Sequence, residues 1–167
     1  MSARSVSRTG VIVLCAALAL TGCSRGMMGG GQTGATGFDG GASDPASPAY
    51  FNSVVGDRVL FPVDQSTLTP AGMATLDSQA AWLMANPEYT AQIEGHADEQ
   101  GTREYNMALG ARRASAVRDY LVSAGVPGTR LRTISYGKER PIEICSQESC
   151  YQQNRRAVTV ITAGAGV

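Results

Sequence analysis

Residues 94–117 read EGHADEQGTREYNMALGARRASAV and join an expected strand to an expected helix. Residues 90–96 alternate between apolar and polar side chains, as a half-buried β-strand does. A loop with Asp98 and Gly101 follows, and the apolar spacing after it predicts a helix from about Glu104 to Ala124. A strand that leads through a short loop into a helix is typical of α/β folds.

The segments on either side continue this alternation. Thr69 is expected to cap a helix that begins at Pro70, because threonine and proline suit these two positions. Asn86 and Pro87 are expected to end that helix. The other expected elements are strands at 58–61, 131–136 and 157–162 and a short helix at 149–154. The alternation predicts a two-layer α/β sandwich of about 115 residues.

The same stretch brings together groups that suit a ligand carrying both charges. Asn106, Leu109, Gly110 and Arg113 are spaced so that they share one face of the expected helix. Asp98 lies in the loop beside the first half of that helix. A carboxylate accepts from an ammonium group, and a guanidinium donates to a carboxylate. From spacing alone, the alternative is a structural ion pair between Asp98 and Arg113.

The composition restricts the class of protein. The chain has 167 residues, of which 43% are hydrophobic and 17% charged, which is typical of one globular domain. Because 14 basic residues balance 14 acidic ones, the chain lacks the positive field that nucleic-acid-binding proteins use. We therefore exclude nucleic acid as a partner.

The N-terminus has the features of an export signal. Two arginines precede residues 11–20, an apolar run shorter than the about 20 residues that a membrane-spanning helix needs. Residues 20–23 (LTGC) resemble a bacterial lipobox, in which the cysteine is lipidated. We predict a lipoprotein signal peptide at residues 1–22 and a lipid on Cys23, and Ser24 favours the outer membrane. An ordinary signal peptide with an incidental Cys23 is the alternative.

The residues after the signal predict a flexible tether. Residues 24–49 contain eight of the chain's 20 glycines, together with many serines, threonines and prolines. Such a segment has a mean reach of about 25–30 Å. We therefore expect a lipidated N-terminus and tether at residues 23–49 and a folded domain at residues 50–167.

Cys145 and Cys150 are the cysteines expected in the folded domain. An exported chain meets an oxidising compartment, so we expect a structural disulfide between them. A zinc or redox site is the alternative, but the chain has no CxxC motif and its single histidine cannot complete four ligands. His96, that histidine, is interpreted as a strand-end or partner-contact residue rather than a catalytic one. No cofactor or metal is expected.

Three separated motifs carry a resemblance to a known family. They are residues 95–117, SYGKERP at residues 135–141 and NRRAVTV at residues 154–160. With these motifs the chain resembles the OmpA C-terminal-like domain family over roughly residues 55–163. The lipobox and tether make it most similar to the lipoprotein members that belong to the Tol–Pal system. The resemblance implies an OmpA-like domain with a mixed sheet of about four strands and helices packed on one face.

The resemblance also implies a ligand and its binding residues. In the family, the domain binds the diaminopimelate of peptidoglycan without cutting it. The residue that matches the motif aspartate is Asp98, which is expected to hold the ligand's ammonium group. Arg113 matches the arginine that holds the ligand's carboxylate. Asn106 and Leu109 match residues that shape the pocket.

Two further residues are expected at the site with less support from the motifs. Phe61 matches the aromatic residue of the first strand motif, although the chain reads FPVD where FDFD is more usual. Arg155 belongs to the Asn-Arg-Arg motif, which the resemblance places at the fold and the pocket rim. Arg112 is expected to face solvent, because it lies about 100° around the helix from its neighbour Arg113.

The resemblance implies the partners and the place of action. They are peptidoglycan of the meso-diaminopimelate type, TolB and other Tol–Pal components, and the outer membrane, with the domain facing the periplasm. The expected function is a non-catalytic tether between the outer membrane and the cell wall that supports envelope integrity and constriction during division. The alternatives are a cell-wall hydrolase, which the single histidine disfavours, and a lipoprotein that acts mainly through protein–protein contacts.

Overall fold

The computed structural model describes residues 41–164. The predicted signal peptide, Cys23 and the tether up to residue 40 lie outside these residues. The helices are α1 (Pro48–Tyr50), α2 (Pro70–Ala85), α3 (Arg103–Ser123) and α4 (Glu148–Asn154). The strands are β1 (Arg58–Leu60), β2 (Tyr89–His96), β3 (Leu131–Gly137) and β4 (Arg156–Ala163). A π-helical turn at Phe51–Gly56 follows α1, and a 3-10 turn at Gly128–Arg130 precedes β3.

The four strands of the described residues form one mixed sheet in the order β1-β4-β2-β3. Strand β4 runs antiparallel to both of its neighbours, and β2 runs parallel to β3. In this register Gly95 lies opposite Ala157 on one side and Ser135 on the other. The predicted mixed α/β sandwich is therefore confirmed, and the first and last strands lie side by side.

The helices cover one face of the sheet. Ile93 of β2, Leu83 of α2 and Leu121 of α3 are fully buried in the core between the two layers. On the opposite face, Leu60 and Ile134 remain exposed. No helix within residues 41–164 is long and apolar enough to cross a bilayer.

Local capping explains where the two long helices begin and end. The Thr69 hydroxyl accepts from the Gly72 N–H at 3.1 Å, as expected of an N-cap. The Thr102 hydroxyl accepts from the Tyr105 N–H at 3.2 Å, so α3 begins one residue before the predicted start. Gly125 has a φ of +102°, which is the left-handed conformation that glycine provides after a helix.

Two glycines allow α3 to approach β2 closely. A Cβ atom on Gly95 would lie 1.8 Å from the carbonyl oxygen of Gly110, a distance that no side chain tolerates. The backbone of the helix therefore rests on the backbone of the strand. This contact sets the separation between the loop after β2 and the arginine one helical turn beyond Gly110.

Residues 41–49, which we expected to belong to the tether, make contacts with the domain. The indole N–H of Trp82 donates to the carbonyl oxygen of Pro45 at 2.7 Å. Ser47 is buried, and its hydroxyl caps α1 by accepting from the Tyr50 N–H. The ordered contacts therefore begin before residue 50.

Candidate functional site

A cavity of about 250 Å³ opens where the loop after β1 and the loop after β2 meet the first half of α3. Its lining residues are Val63, Asp64, Asp98, Gln100, Gly101, Tyr105, Leu109 and Arg113. Three of the residues singled out by the sequence, Asp98, Leu109 and Arg113, are among them. The structure therefore brings the predicted acid and the predicted base to one cavity.

Asp98 is held by two donors. It is 8% exposed, and its Oδ1 atom accepts from the Gln100 N–H at 3.2 Å. Its Oδ2 atom accepts from Arg155 Nη1 at 3.1 Å. The structural ion pair that we considered between Asp98 and Arg113 is absent from the described residues, because Arg155 takes that position.

Arg113 is buried and donates to three backbone carbonyls. Its exposure is 0%, and Nε, Nη1 and Nη2 donate to Gln65 at 2.8 Å, His96 at 2.8 Å and Pro62 at 3.2 Å. A guanidinium has five N–H donors, so two remain for a ligand. Burial lowers the pKa of Arg113 to about 10, so the side chain remains cationic at neutral pH. This one residue joins the loop after β1 to the end of β2.

The other three predicted binding residues lie behind the cavity wall rather than on it. Phe61 is buried, and its ring centroid lies 5.2 Å from the Arg113 guanidinium carbon. Asn106 is buried and donates from Nδ2 to the carbonyl oxygen of Gln100 at 2.7 Å, which holds the loop after β2. The guanidinium of Arg155 donates hydrogen bonds to the carboxylates of Asp98 and Glu148. The three residues therefore do not line the cavity itself, and a role for them in ligand binding stays a prediction.

Three polar lining residues, Asp64, Gln100 and Tyr105, were not predicted. Asp64 has a φ of +58°, and its Oδ1 atom accepts from the Tyr105 hydroxyl at 3.0 Å. This hydrogen bond raises the pKa of Tyr105. Aspartate adopts positive φ more readily than most residues other than glycine. The aspartate at position 64, just after Phe61-Pro62-Val63, is therefore the one sequence signal for this turn. Arg112 faces solvent as expected, 5.9 Å from the Tyr105 ring centroid.

His96 supports the site through its backbone. Its carbonyl oxygen accepts from Arg113, while its ring is 2% exposed and lies 5.6 Å from the ring of Tyr136. Neither ring nitrogen has a hydrogen-bond partner among the described residues, and the nearest carboxylate oxygen, on Glu94, is 3.8 Å away. Burial, with Arg156 and Arg140 nearby, lowers the pKa of His96 to about 4. Residues 41–164 contain no cluster of side chains that could hold a metal ion.

The predicted disulfide is confirmed. Cys145 and Cys150 are bonded, with their Cα atoms 5.9 Å apart. The disulfide closes residues 145–150, which include the first residues of α4, and α4 ends at Asn154. The side chain of Asn154 is buried and hydrogen-bonds the backbone of Ile142 and Glu143, so this segment is tied to the start of β4.

The chain is similar to known proteins over most of its length. The model of the OmpA family matches residues 60–155. The peptidoglycan-associated lipoprotein of Rhizobium meliloti is 54% identical, over 93% of this chain and 88% of its own length. That of Brucella melitensis is 49% identical, over 98% of this chain and 97% of its own length.

Solved structures show the same fold. The crystal structure of the peptidoglycan-associated lipoprotein from Burkholderia pseudomallei is 36% identical, with a TM-score of 0.64, and the match covers 72% of this chain and 98% of that chain. The C-terminal domain of Helicobacter pylori MotB is 21% identical, with a TM-score of 0.60 over 65% of this chain and 86% of that chain. The second likeness concerns the fold alone.

Proposed function

Because this chain belongs to the OmpA family and, within it, to the peptidoglycan-associated lipoproteins, we propose that its cavity binds the diaminopimelate of peptidoglycan. The relatives are named for association with peptidoglycan, and the chain is a binding protein, not an enzyme. The observation that supports the ligand is the presence of both Asp98 and Arg113 in one cavity.

The charges of the cavity match those of the ligand. The free end of meso-diaminopimelate carries an ammonium and a carboxylate on one carbon. Asp98 is positioned to accept from the ammonium, because a carboxylate has about four lone-pair sites and two are occupied. The two remaining N–H donors of Arg113 suit the carboxylate. Leu109 supplies an apolar wall for the methylene chain of the ligand.

The rest of the proposal concerns how the chain connects two structures of the envelope. A lipid on Cys23 holds the chain in the outer membrane, the glycine-rich tether crosses the periplasmic gap, and the domain holds the cell wall. A single pocket of this kind gives a dissociation constant of about micromolar to millimolar. Many copies in one membrane that faces one polymer bind far more tightly through effective concentration. Weak individual contacts also allow TolB and other Tol–Pal partners to move the chain during constriction.

Ligand chemistry tests the binding proposal. The full-length chain, purified in detergent, is titrated with muropeptides that contain either meso-diaminopimelate or lysine. Lysine lacks the side-chain carboxylate, so we expect its muropeptide to bind at least about tenfold more weakly. Mass spectrometry should recover both muropeptides uncut. Equal affinity for the two muropeptides would show that the Arg113 contact is not the determinant.

Membrane fractionation tests the anchor separately. Replacement of Cys23 by serine removes the thiol that accepts the lipid, so we expect the variant to move from the membrane fraction to the soluble periplasmic fraction. Its muropeptide affinity should equal that of the unaltered chain, since Cys23 is remote in sequence from the pocket. A variant that stays with the membrane would contradict the lipid anchor and leave the pocket proposal unaffected.

A further inference from the structure

The segment closed by the disulfide lies against the residues that follow β2. The Tyr151 hydroxyl donates to Glu99 Oε1 at 2.9 Å, and the Ser146 hydroxyl contacts the same oxygen at 3.4 Å. Both residues belong to, or adjoin, the short loop between Cys145 and Cys150. The loop thus contacts Glu99, the residue next to Asp98, directly.

The same loop reaches Asp98 through a buried arginine. Arg155 is 3% exposed and lies between the carboxylates of Asp98 and Glu148. Its Nη2 donates to Glu148 Oε1, and its Nη1 lies 3.1 Å from Asp98 Oδ2 and 3.4 Å from Glu148 Oε2. Its Nε donates to the carbonyl oxygen of Phe61 at 3.3 Å. Burial disfavours the charged form of Arg155, but the hydrogen bonds to Glu148 and Asp98 outweigh burial and raise its pKa.

We propose that Glu148 is a positioning residue for Asp98 and that the Cys145–Cys150 disulfide keeps Glu148 in place. This inference rests on the proposed function, in which Asp98 holds the ammonium of diaminopimelate. A guanidinium prefers to bind one carboxylate with two parallel hydrogen bonds. Glu148 occupies Nη2, so Arg155 gives Asp98 only one hydrogen bond. Asp98 therefore keeps lone pairs for the ligand.

Glu148 needs support because its own position is open to water. Its side chain is 54% exposed, and exposed ion pairs contribute little unless their geometry is held. Glu148 is the first residue of α4 and lies inside the loop that the disulfide closes. Without the disulfide, this turn is free to move, and the carboxylate competes poorly for Arg155. The guanidinium then turns onto Asp98 and displaces the ligand's ammonium.

Four variants of the full-length chain test the proposal. Glu148→Gln removes the charge, and Glu148→Asp keeps it on a shorter side chain. Cys145→Ser combined with Cys150→Ser removes the disulfide. Glu143→Gln is the matched control, since Glu143 is exposed and contacts Asn154 of α4 through its backbone. Each is titrated with the diaminopimelate muropeptide and with the same muropeptide N-acetylated on its side-chain amine, and thermal unfolding confirms that each is folded.

The expected result is specific to the ammonium group. Glu148→Gln and the double serine variant should each bind the intact muropeptide about tenfold more weakly, because the ammonium loses one charge-assisted hydrogen bond to Asp98. Their preference for the intact over the acetylated muropeptide should fall by the same factor. Glu148→Asp should recover part of the affinity, and Glu143→Gln should bind normally. General loosening of the pocket would instead weaken both muropeptides equally.

Two results would overturn the inference. One is a folded Glu148→Gln variant that binds both muropeptides like the unaltered chain. The other concerns a triple variant that combines both serines with Glu148→Gln. If it binds the intact muropeptide more weakly than Glu148→Gln does, by the full factor that the two serines cause on their own, the disulfide acts by a route other than Glu148. Failure of the unaltered chain to bind the intact muropeptide would overturn the proposed function itself, together with this inference.

Discussion

Arg155 donates to Asp98 at 3.1 Å, so the carboxylate that lines the cavity has a cationic partner before any ligand arrives. A buried carboxylate without a partner is costly, and it would lose its charge or move. With Arg155 on one oxygen and the Gln100 N–H on the other, the carboxylate of Asp98 is held in a fixed orientation. An incoming ammonium therefore meets a fixed acceptor, which limits the ordering that binding requires.

Asp98→Asn should weaken binding of the diaminopimelate muropeptide by about tenfold or more, because the amide keeps the shape but not the charge that attracts the ammonium. Titration calorimetry on the full-length chain measures the change. Asp119→Asn is the control, since that carboxylate is exposed on α3 and, within residues 41–164, pairs only with its neighbour Arg118. Equal affinities for Asp98→Asn and Asp119→Asn would contradict the site.

Arg113→Ala should lower the free energy of unfolding by about 3 kcal/mol, because it leaves the buried carbonyl oxygen of His96 and the part-buried ones of Gln65 and Pro62 without their donor. Arg113→Lys should lose less stability, yet its single ammonium cannot hold the carbonyls and also bind a carboxylate. Urea unfolding measures both. Arg112→Ala, on the exposed side of the same helix, should change stability by less than about 0.5 kcal/mol. A similar loss at both positions would argue against the anchoring role.

Gly95→Ala should destabilise the fold by about 3 kcal/mol or more, because the new methyl group would collide with the backbone of α3 at Gly110. Gly128→Ala makes a useful comparison, since the nearest atom there is the mobile end of Arg118. Thermal unfolding of the two variants gives the difference. If Gly95→Ala unfolds at the same temperature as Gly128→Ala, the helix does not depend on this close approach.

His96 should make stability fall as the pH drops from about 6.5 to about 4. Its pKa in the folded chain is about 4, below the about 6.5 of an unfolded chain, so the unfolded state binds more protons in this window. His96→Phe keeps an aromatic ring against Tyr136 and should flatten this part of the pH profile. Melting temperatures at pH 4, 5 and 7 test the point, since the chain has one histidine. Identical slopes with and without His96 would assign the effect to carboxylates.

The elements that sequence reasoning placed well depend on local signals. Thr69 and Pro70 mark the start of α2 because both act on the first turn that follows them. Asn106, Leu109 and Arg113 share one face of α3 as predicted, because helical spacing alone decides which side chains share a face, and the structure buries that face. The disulfide was predictable because the two cysteines are separated by only five positions.

The contacts of the site could not be predicted because they join distant parts of the chain. Arg155 and Asp98 are 57 residues apart in sequence, and Arg113 reaches carbonyls 48 and 51 residues earlier. The pairing of acidic and basic side chains depends on the register of β4 between β1 and β2, and no local sequence pattern indicates that register. For this reason the sequence left an ion pair between Asp98 and Arg113 open as an alternative, whereas the structure pairs Asp98 with Arg155.

The position of β4 has a consequence for how the chain is made. Among the strands of residues 41–164 it is the last to be synthesised, yet it lies between β1, the first of them, and β2. Until residues 156–163 have left the ribosome, β1 has no strand beside it, and the longest-range contacts of the sheet cannot form. The sheet of residues 41–164 is thus incomplete until its C-terminal strand has been made. Such a delay suits a chain that, as we propose, is exported to the envelope.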